Sequence, residues 1–221
     1  MTMGPTAVLF DLDGTLLDTL ADIAHASNAA LASLGFPQHP VKAYRYFVGE
    51  GIEVLARRVL PENHQSDADV AACLAAINRE YGAGLLVKTR PFDGVPEMLS
   101  RLAQKKLLLA VVSNKQHELA LRSVAAHFAG GIFSAVLGER KNIPKKPDPT
   151  IALEAARLMS VSPGQCLYVG DSGTDMQTAV NAGMYPVGVL WGFRDADELM
   201  AAGAKTLIKK PLELLDLLGG A

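Results

Sequence analysis

The chain has 221 residues, 49% hydrophobic and 20% charged, with a formal net charge of −2. That length holds one large domain or a core with a smaller insert, and that composition buries a real core, which excludes compositional disorder. The near-neutral charge and the lack of a lysine or arginine run argue against nucleic acid or a membrane surface as partner. No basic stretch precedes the first apolar run, which breaks at Asp11, so neither a signal peptide nor a membrane span is expected. Cys166 lies in an apolar run far from Cys73 and reads as a buried free thiol rather than half of a disulfide. A cytoplasmic setting is expected.

In chain order, the first predicted strand covers residues 6–10 and runs into Asp11. Residues 19–86 then offer helices and no convincing strand. Val70, Leu74, Ile77, Tyr81 and Leu85 recur at helical spacing, while Pro37, Pro40, Gly49, Gly51 and Pro61 divide the stretch into three or four helices. Asp18 and Thr19 read as a helix cap at its entry, and "TRPFD" at 89–93 as the return linker. Further strands are predicted at 107–113, 135–137, 166–170 and 186–190. Helices are predicted at 95–104, 116–126, 149–159 and 174–182, the third opened by Asp148 as N-cap and Pro149 at its first position. Apolar strands separated by helices predict an α/β chain with a parallel sheet covered on both faces. Residues 1–17 and 89–221 would form this core, and 18–88 a helical insert after the first strand.

Open parallel sheets bind ligands outside the carboxyl ends of their strands. Three predicted strands end in polar groups: Asp11, Ser113–Asn114 and Gly170–Asp171. Asp11 and Asp13, two apart in extended chain, should face one pocket, with Leu12 turned toward packing. Gly14 permits a tight turn whose N–H groups can cradle an anion. "VGDSGTD" adds Asp171 and Asp175. Four acids in one pocket require a cation, and all-oxygen ligation suits Mg²⁺, beside which an aspartate can attack phosphorus. A calcium loop is excluded by spacing, since glycine stands fourth in "DLDG" where an EF-hand has it sixth. Ser113 and Asn114 could also cap the helix near residue 116, and Asp175 could stabilise the first turn of its own helix. None of the five histidines joins these motifs.

Taken together, "DLDGTLLDT", "VSNK", "KKPDP" and "GDSGTD" resemble the four ordered motifs of the haloacid dehalogenase superfamily of phosphohydrolases, from residue 8 to about residue 190. The resemblance implies a Rossmann-like core and identifies the insert with that superfamily's small α-helical cap. It implies Asp11 as the nucleophile that forms an aspartyl-phosphate and ligates Mg²⁺. Asp13 would be the acid and then the base, with its backbone carbonyl on the metal. Gly14, Thr15, Ser113 and Asn114 would bind phosphate. Lys146, rather than the adjacent Lys145, would steady the negative charge. Asp171 would ligate the metal, with Asp175 a ligand or a support behind it. The stretches "YRYFVGEGIEVLARRVL" and "RPFDGVPEML" resemble phosphoglycolate phosphatases and point to Arg45, Gly49 and Gly51 as substrate-binding residues. The implied activity is Mg²⁺-dependent hydrolysis of 2-phosphoglycolate or a similar small phosphate ester by a monomer or homodimer. The alternatives are a sugar-phosphate phosphatase or a β-phosphoglucomutase-like phosphotransferase. A haloacid dehalogenase lacks the second aspartate and needs no Mg²⁺, and an inactive binding protein has no use for the intact acid set.

Overall fold

The computed structural model describes residues 4–84 and 87–219. Leu85, expected on the apolar stripe of the insert, lies outside them. The chain divides into two compact units: one holds the residues up to Leu17 and those from Pro91 onward, the other Asp18–Arg90.

Strand β1 (Ala7–Phe10) opens the larger unit, and the two-residue β2 (Leu17–Asp18) follows. The smaller unit carries the helices α1 (Leu20–Ser33), α2 (Tyr44–Phe47), α3 (Ile52–Val59) and α4 (Asp67–Gly84). After β3 (Arg90–Pro91) the larger unit continues with α5 (Val95–Gln104), β4 (Leu108–Gln116), α6 (His117–His127) and β5 (Ala135–Glu139). Then come α7 (Thr150–Leu158), β6 (Cys166–Gly170), α8 (Gly173–Asn181), β7 (Tyr185–Val189), α9 (Ala196–Ala201) and β8 (Thr206–Ile208).

The main sheet has the order β5-β4-β1-β6-β7-β8, and its neighbouring strands are parallel. The predicted α/β class therefore holds. Alternation along β1 explains the layers. Val8 and Phe10 join the apolar cluster under α5 and α6, with Met98, Leu99, Val111 and Val169. Ala7 and Leu9 point to the other face, where Ile151, Ala152 and Ala155 of α7 and Ala179 of α8 cover them. All four residues of β1 are fully buried, which is why the strand reads as a continuous apolar run. Strand order reverses at β1, between β4 and β6, so the crevice that positions ligands in such sheets lies at Asp11.

The predicted strand at 166–170 and helix at 95–104 match the observed elements. Strand β4 extends three residues beyond the predicted end, through Gln116. The sequence reading missed β8 and α9, three and six residues long, because neither is long enough to display a period. Pro149, rather than Asp148, holds the N-cap position of α7, though the Asp148 carboxylate still accepts the Thr150 N–H at 2.9 Å. Both cysteines are free and buried.

Within the helical unit, α1 packs along α4, where Val70, Cys73, Ile77 and Tyr81 are buried and Leu74 is half-buried. Asp22, a buried acid that the sequence reading did not single out, accepts the N–H of Thr89 at 2.8 Å and its hydroxyl at 2.7 Å, fastening residues 88–89 to α1. Between α2 and α3 the backbone turns through Gly49 (φ 113°) and Gly51 (φ 92°), the latter the N-cap of α3. These are angles that side chains other than hydrogen strain to adopt. Arg45 is exposed on α2. Among the described residues, no helix is long and apolar enough to cross a membrane.

Candidate active site

The larger unit gathers its polar residues at the carboxyl ends of β1, β4 and β6. Asp11 follows β1, and its N–H donates to the Val169 carbonyl at 2.9 Å. Asp171 follows β6, and Asp175 lies in the first turn of α8. Carboxylate oxygens of Asp11, Asp171 and Asp175 lie within 4.8 Å of one another, and all three residues are buried. Lys146 enters the same cluster, its Nζ donating to Asp11 Oδ1 at 2.9 Å, to Asp175 Oδ1 at 2.7 Å and to the Val112 carbonyl at 3.1 Å. Lys145 is turned elsewhere, to Glu139 at 2.8 Å.

Three buried acids against one ammonium leave an excess of negative charge. Burial first, then repulsion from Asp175, pushes the Asp11 carboxyl up to about 7, against the opposing pull of Lys146. Burial, then Asp175 and Asp11, pushes Asp171 up to about 8. Burial alone would lower the Lys146 ammonium, but Asp11 and Asp175 hold it well above its ordinary value. An all-oxygen donor set that repels itself fits a hard divalent cation such as Mg²⁺.

The first motif's loop is locked to Asp171. Gly14 has φ +91°, and a Cβ on it would stand 2.3 Å from Asp171 Oδ2. Thr15 Oγ1 donates to Asp171 Oδ1 at 3.0 Å. A third loop closes on both: Phe193 N–H donates to Asp171 Oδ2 at 2.8 Å, and Trp191 Nε1 donates to the Thr15 carbonyl at 2.9 Å. Between them, a Cβ on Gly192 would fall 2.2 Å from that of Asp171. The sequence reading passed over 191–193 because a search for polar side chains at strand ends does not register backbone donors. A tryptophan just beyond a predicted strand was the available signal.

Asp175 caps α8 as well as meeting Lys146. Its Oδ2 accepts the Ser172 N–H at 3.1 Å and hydroxyl at 2.6 Å, in a reciprocal capping box. Asn114 grips the backbone of Lys146 at both ends of its amide, donating to the carbonyl at 3.2 Å and accepting the N–H at 2.9 Å. Asn114 thus reaches the cluster through Lys146. The Ser113 hydroxyl is buried and accepts the Lys115 N–H at 3.2 Å.

Asp13 does not join the other three carboxylates. Both of its oxygens are held by Lys115 Nζ, at 2.9 and 3.1 Å. Lys115 stands within the quoted "VSNK", yet the sequence reading gave it no role. Arg45, Gly49 and Gly51 belong to the helical unit.

A model of the haloacid dehalogenase-like hydrolase family matches residues 8–189. The chain belongs to this family. It is 33% identical to a phosphoglycolate phosphatase of Thiobacillus denitrificans over 190 residues, covering 85% of this chain and 84% of that one. It is 32% identical to a phosphoglycolate phosphatase of Nitrosospira multiformis over 215 residues, covering 96% and 95%. A crystal structure from Lactobacillus delbrueckii subsp. bulgaricus superposes with a TM-score of 0.92 at 31% identity, over 99% of this chain and 100% of that chain. This haloacid dehalogenase-like enzyme is phosphoglycolate phosphatase-like in sequence.

Proposed function

We propose that the enzyme hydrolyses small phosphate monoesters through an aspartyl-phosphate on Asp11, and that 2-phosphoglycolate is its substrate. One observation carries this reading: Asp11, at the reversal point of the sheet, is paired with a buried lysine inside a cluster of acids. The similarity to phosphoglycolate phosphatases supports that choice of substrate.

In the first step an Asp11 carboxylate oxygen bonds to phosphorus while the bond to the ester oxygen breaks. Asp13 gives a proton to that departing oxygen. In the second step water attacks the phosphorus, Asp13 takes the water's proton, and the bond to Asp11 breaks to release inorganic phosphate. Lys146 steadies the charge on Asp11 and on the transferred group. Thr15 and the 191–193 loop orient Asp171, while Asn114 orients Lys146. Asp11, Asp171 and the Asp13 carbonyl would hold Mg²⁺, with Asp175 supporting from behind. The ion, when bound, neutralises the acids so that a phosphoryl group can approach. Ser113 and the turn at Gly14 would receive phosphate oxygens, and Arg45, Gly49 and Gly51 would contribute specificity from the helical unit as a cap. The proposed setting is the cytoplasm.

A screen of phosphate esters with and without Mg²⁺ tests the reading. The expected outcome is Mg²⁺-dependent release of phosphate, fastest from 2-phosphoglycolate. Preference for a sugar phosphate would overturn the substrate assignment, and full activity after thorough metal removal would overturn the mechanism.

A further inference from the structure

Among the described residues of the larger unit, two lysines with almost wholly covered side chains, one in β4 and one in the segment between β5 and α7, serve different carboxylates. Lys146 lies among Asp11, Asp171 and Asp175, where phosphorus would be attacked. Lys115 lies against Asp13, with its side chain 5% exposed and Nζ within 3.1 Å of both Asp13 oxygens. The Asp13 side chain is 19% exposed, against 10% for Asp11, so the second acid is the more open of the two. A cation so placed is poorly suited to the nucleophile and well suited to the leaving group.

We propose that Lys115 reads a carboxylate on the leaving group and makes the core unit itself selective for phosphate esters of 2-hydroxy acids. The inference rests on the reading above, in which Asp13 protonates the ester oxygen. An acid doing so must come within hydrogen-bond reach of that oxygen, about 2.6–3.2 Å. Lys115 Nζ is 2.9 and 3.1 Å from the oxygens of that acid. The ammonium therefore lies within two hydrogen-bond lengths of the ester oxygen, and a leaving-group substituent on the Asp13 side of that oxygen can meet it. In the phosphate ester of a 2-hydroxy acid, a single carbon separates the ester oxygen from the carboxylate. The carboxylate can thus reach the Asp13–Lys115 pair while the phosphoryl group stays at Asp11. A lysine suits the task because its compact point charge acts on two carboxylates placed side by side, that of Asp13 and that of the substrate. Carboxylate reading placed here needs no residue from the helical unit.

The test compares 2-phosphoglycolate with its amide, 2-phosphoglycolamide, which keeps the size and the leaving oxygen but loses the charge. The wild type is expected to prefer the acid in kcat/KM. In Lys115→Met that preference should shrink by about ten- to a hundredfold, the scale of a lost hydrogen bond to a charged group, mainly through KM for the acid. Lys115→Arg should restore part of it. Equal losses on both compounds, appearing in kcat and leaving the preference intact, would show that Lys115 only anchors Asp13 and would overturn the proposal. Wild-type indifference to the acid over the amide would overturn the 2-phosphoglycolate assignment and the inference together, an outcome distinct from the previous one. Should Lys115→Met fail to fold, Lys115→Gln takes its place. Product inhibition adds a measurement on the wild type: glycolate should inhibit hydrolysis of p-nitrophenyl phosphate at least tenfold better than glycolamide, and equal inhibition would count against the proposal.

Discussion

Lys146 with Asp11 and Asp175, in the core, and Arg58 with Glu50, in the helical unit, are built from the same kind of pair in opposite surroundings. The Lys146 side chain is 2% exposed and that of Asp175 0%, whereas Arg58 and Glu50 are 34% and 44% exposed. Taking an ion out of water costs several kcal/mol even after relaxation, so the core cluster is a poor device for stability. Water screens the outer pair, which is worth about 0–1 kcal/mol. Arg58 also donates to the Tyr46 carbonyl at 3.3 Å, so that pair fastens the turn between α2 and α3. The buried excess of acid fits the chemistry proposed for it, while the exposed pair arranges a loop.

The sharpest way to break this contrast is Asp11→Asn. The amide is nearly isosteric but cannot attack phosphorus, and turnover of 2-phosphoglycolate should fall by about a thousandfold or more. Circular dichroism should be unchanged. A folded variant that retains a tenth of the activity would end the case for Asp11 as nucleophile.

Lys146→Met comes next. It strands Asp11 and Asp175 in the interior without their ammonium, and breaking a buried pair in this way costs about 3–5 kcal/mol. Urea unfolding of the metal-free protein should register that loss, and Mg²⁺ should recover part of it. A loss below about 1 kcal/mol would mean that the cluster is cheaper than its burial implies.

The third prediction concerns pH. Asp11 and Asp171 have folded values raised above the ordinary 3.8, to about 7 and about 8. The folded chain therefore holds protons that the unfolded chain has already released, and their contribution to stability falls as pH rises from about 4 to about 8. Glu154, lowered chiefly by its hydrogen bond from Arg140, acts oppositely but is already ionised above about pH 5.5. From pH 5.5 to 8.5 the metal-free Tm should decline on this account, and the gain in Tm on adding Mg²⁺ should grow, because fewer protons must be displaced. A Mg²⁺ gain that shrinks with pH would contradict the assigned direction.

The smallest effect belongs to the outer pair. Glu50→Gln should cost no more than about 1 kcal/mol in urea unfolding and should become smaller still in high salt. A loss as large as that of Lys146→Met would erase the distinction between the two regions.

How much of this was legible in the sequence depended on the range of the interaction. Strand β6 was readable because it is buried throughout and therefore apolar at every position. Asp11 and Asp171 were readable because carboxylates that interrupt or end such runs contradict their surroundings. The choice of Lys146 over Lys145 needed the motif, since two adjacent lysines look alike until one is buried with acids and the other pairs with Glu139.

By itself, then, the sequence determined the alternation of strand and helix, the helical insert and the identity of the acids at the strand ends, all properties of short windows. Tertiary structure alone decided which groups meet. Parallel pairing sets Phe10 beside both Val111 and Val169, and that register carries the ends of β4 and β6 to Asp11. It joins Lys115 to Asp13 across 102 residues and Trp191 to Thr15 across 176. No local pattern encodes such meetings, because they are fixed by the order and register of strands that only the folded sheet brings side by side.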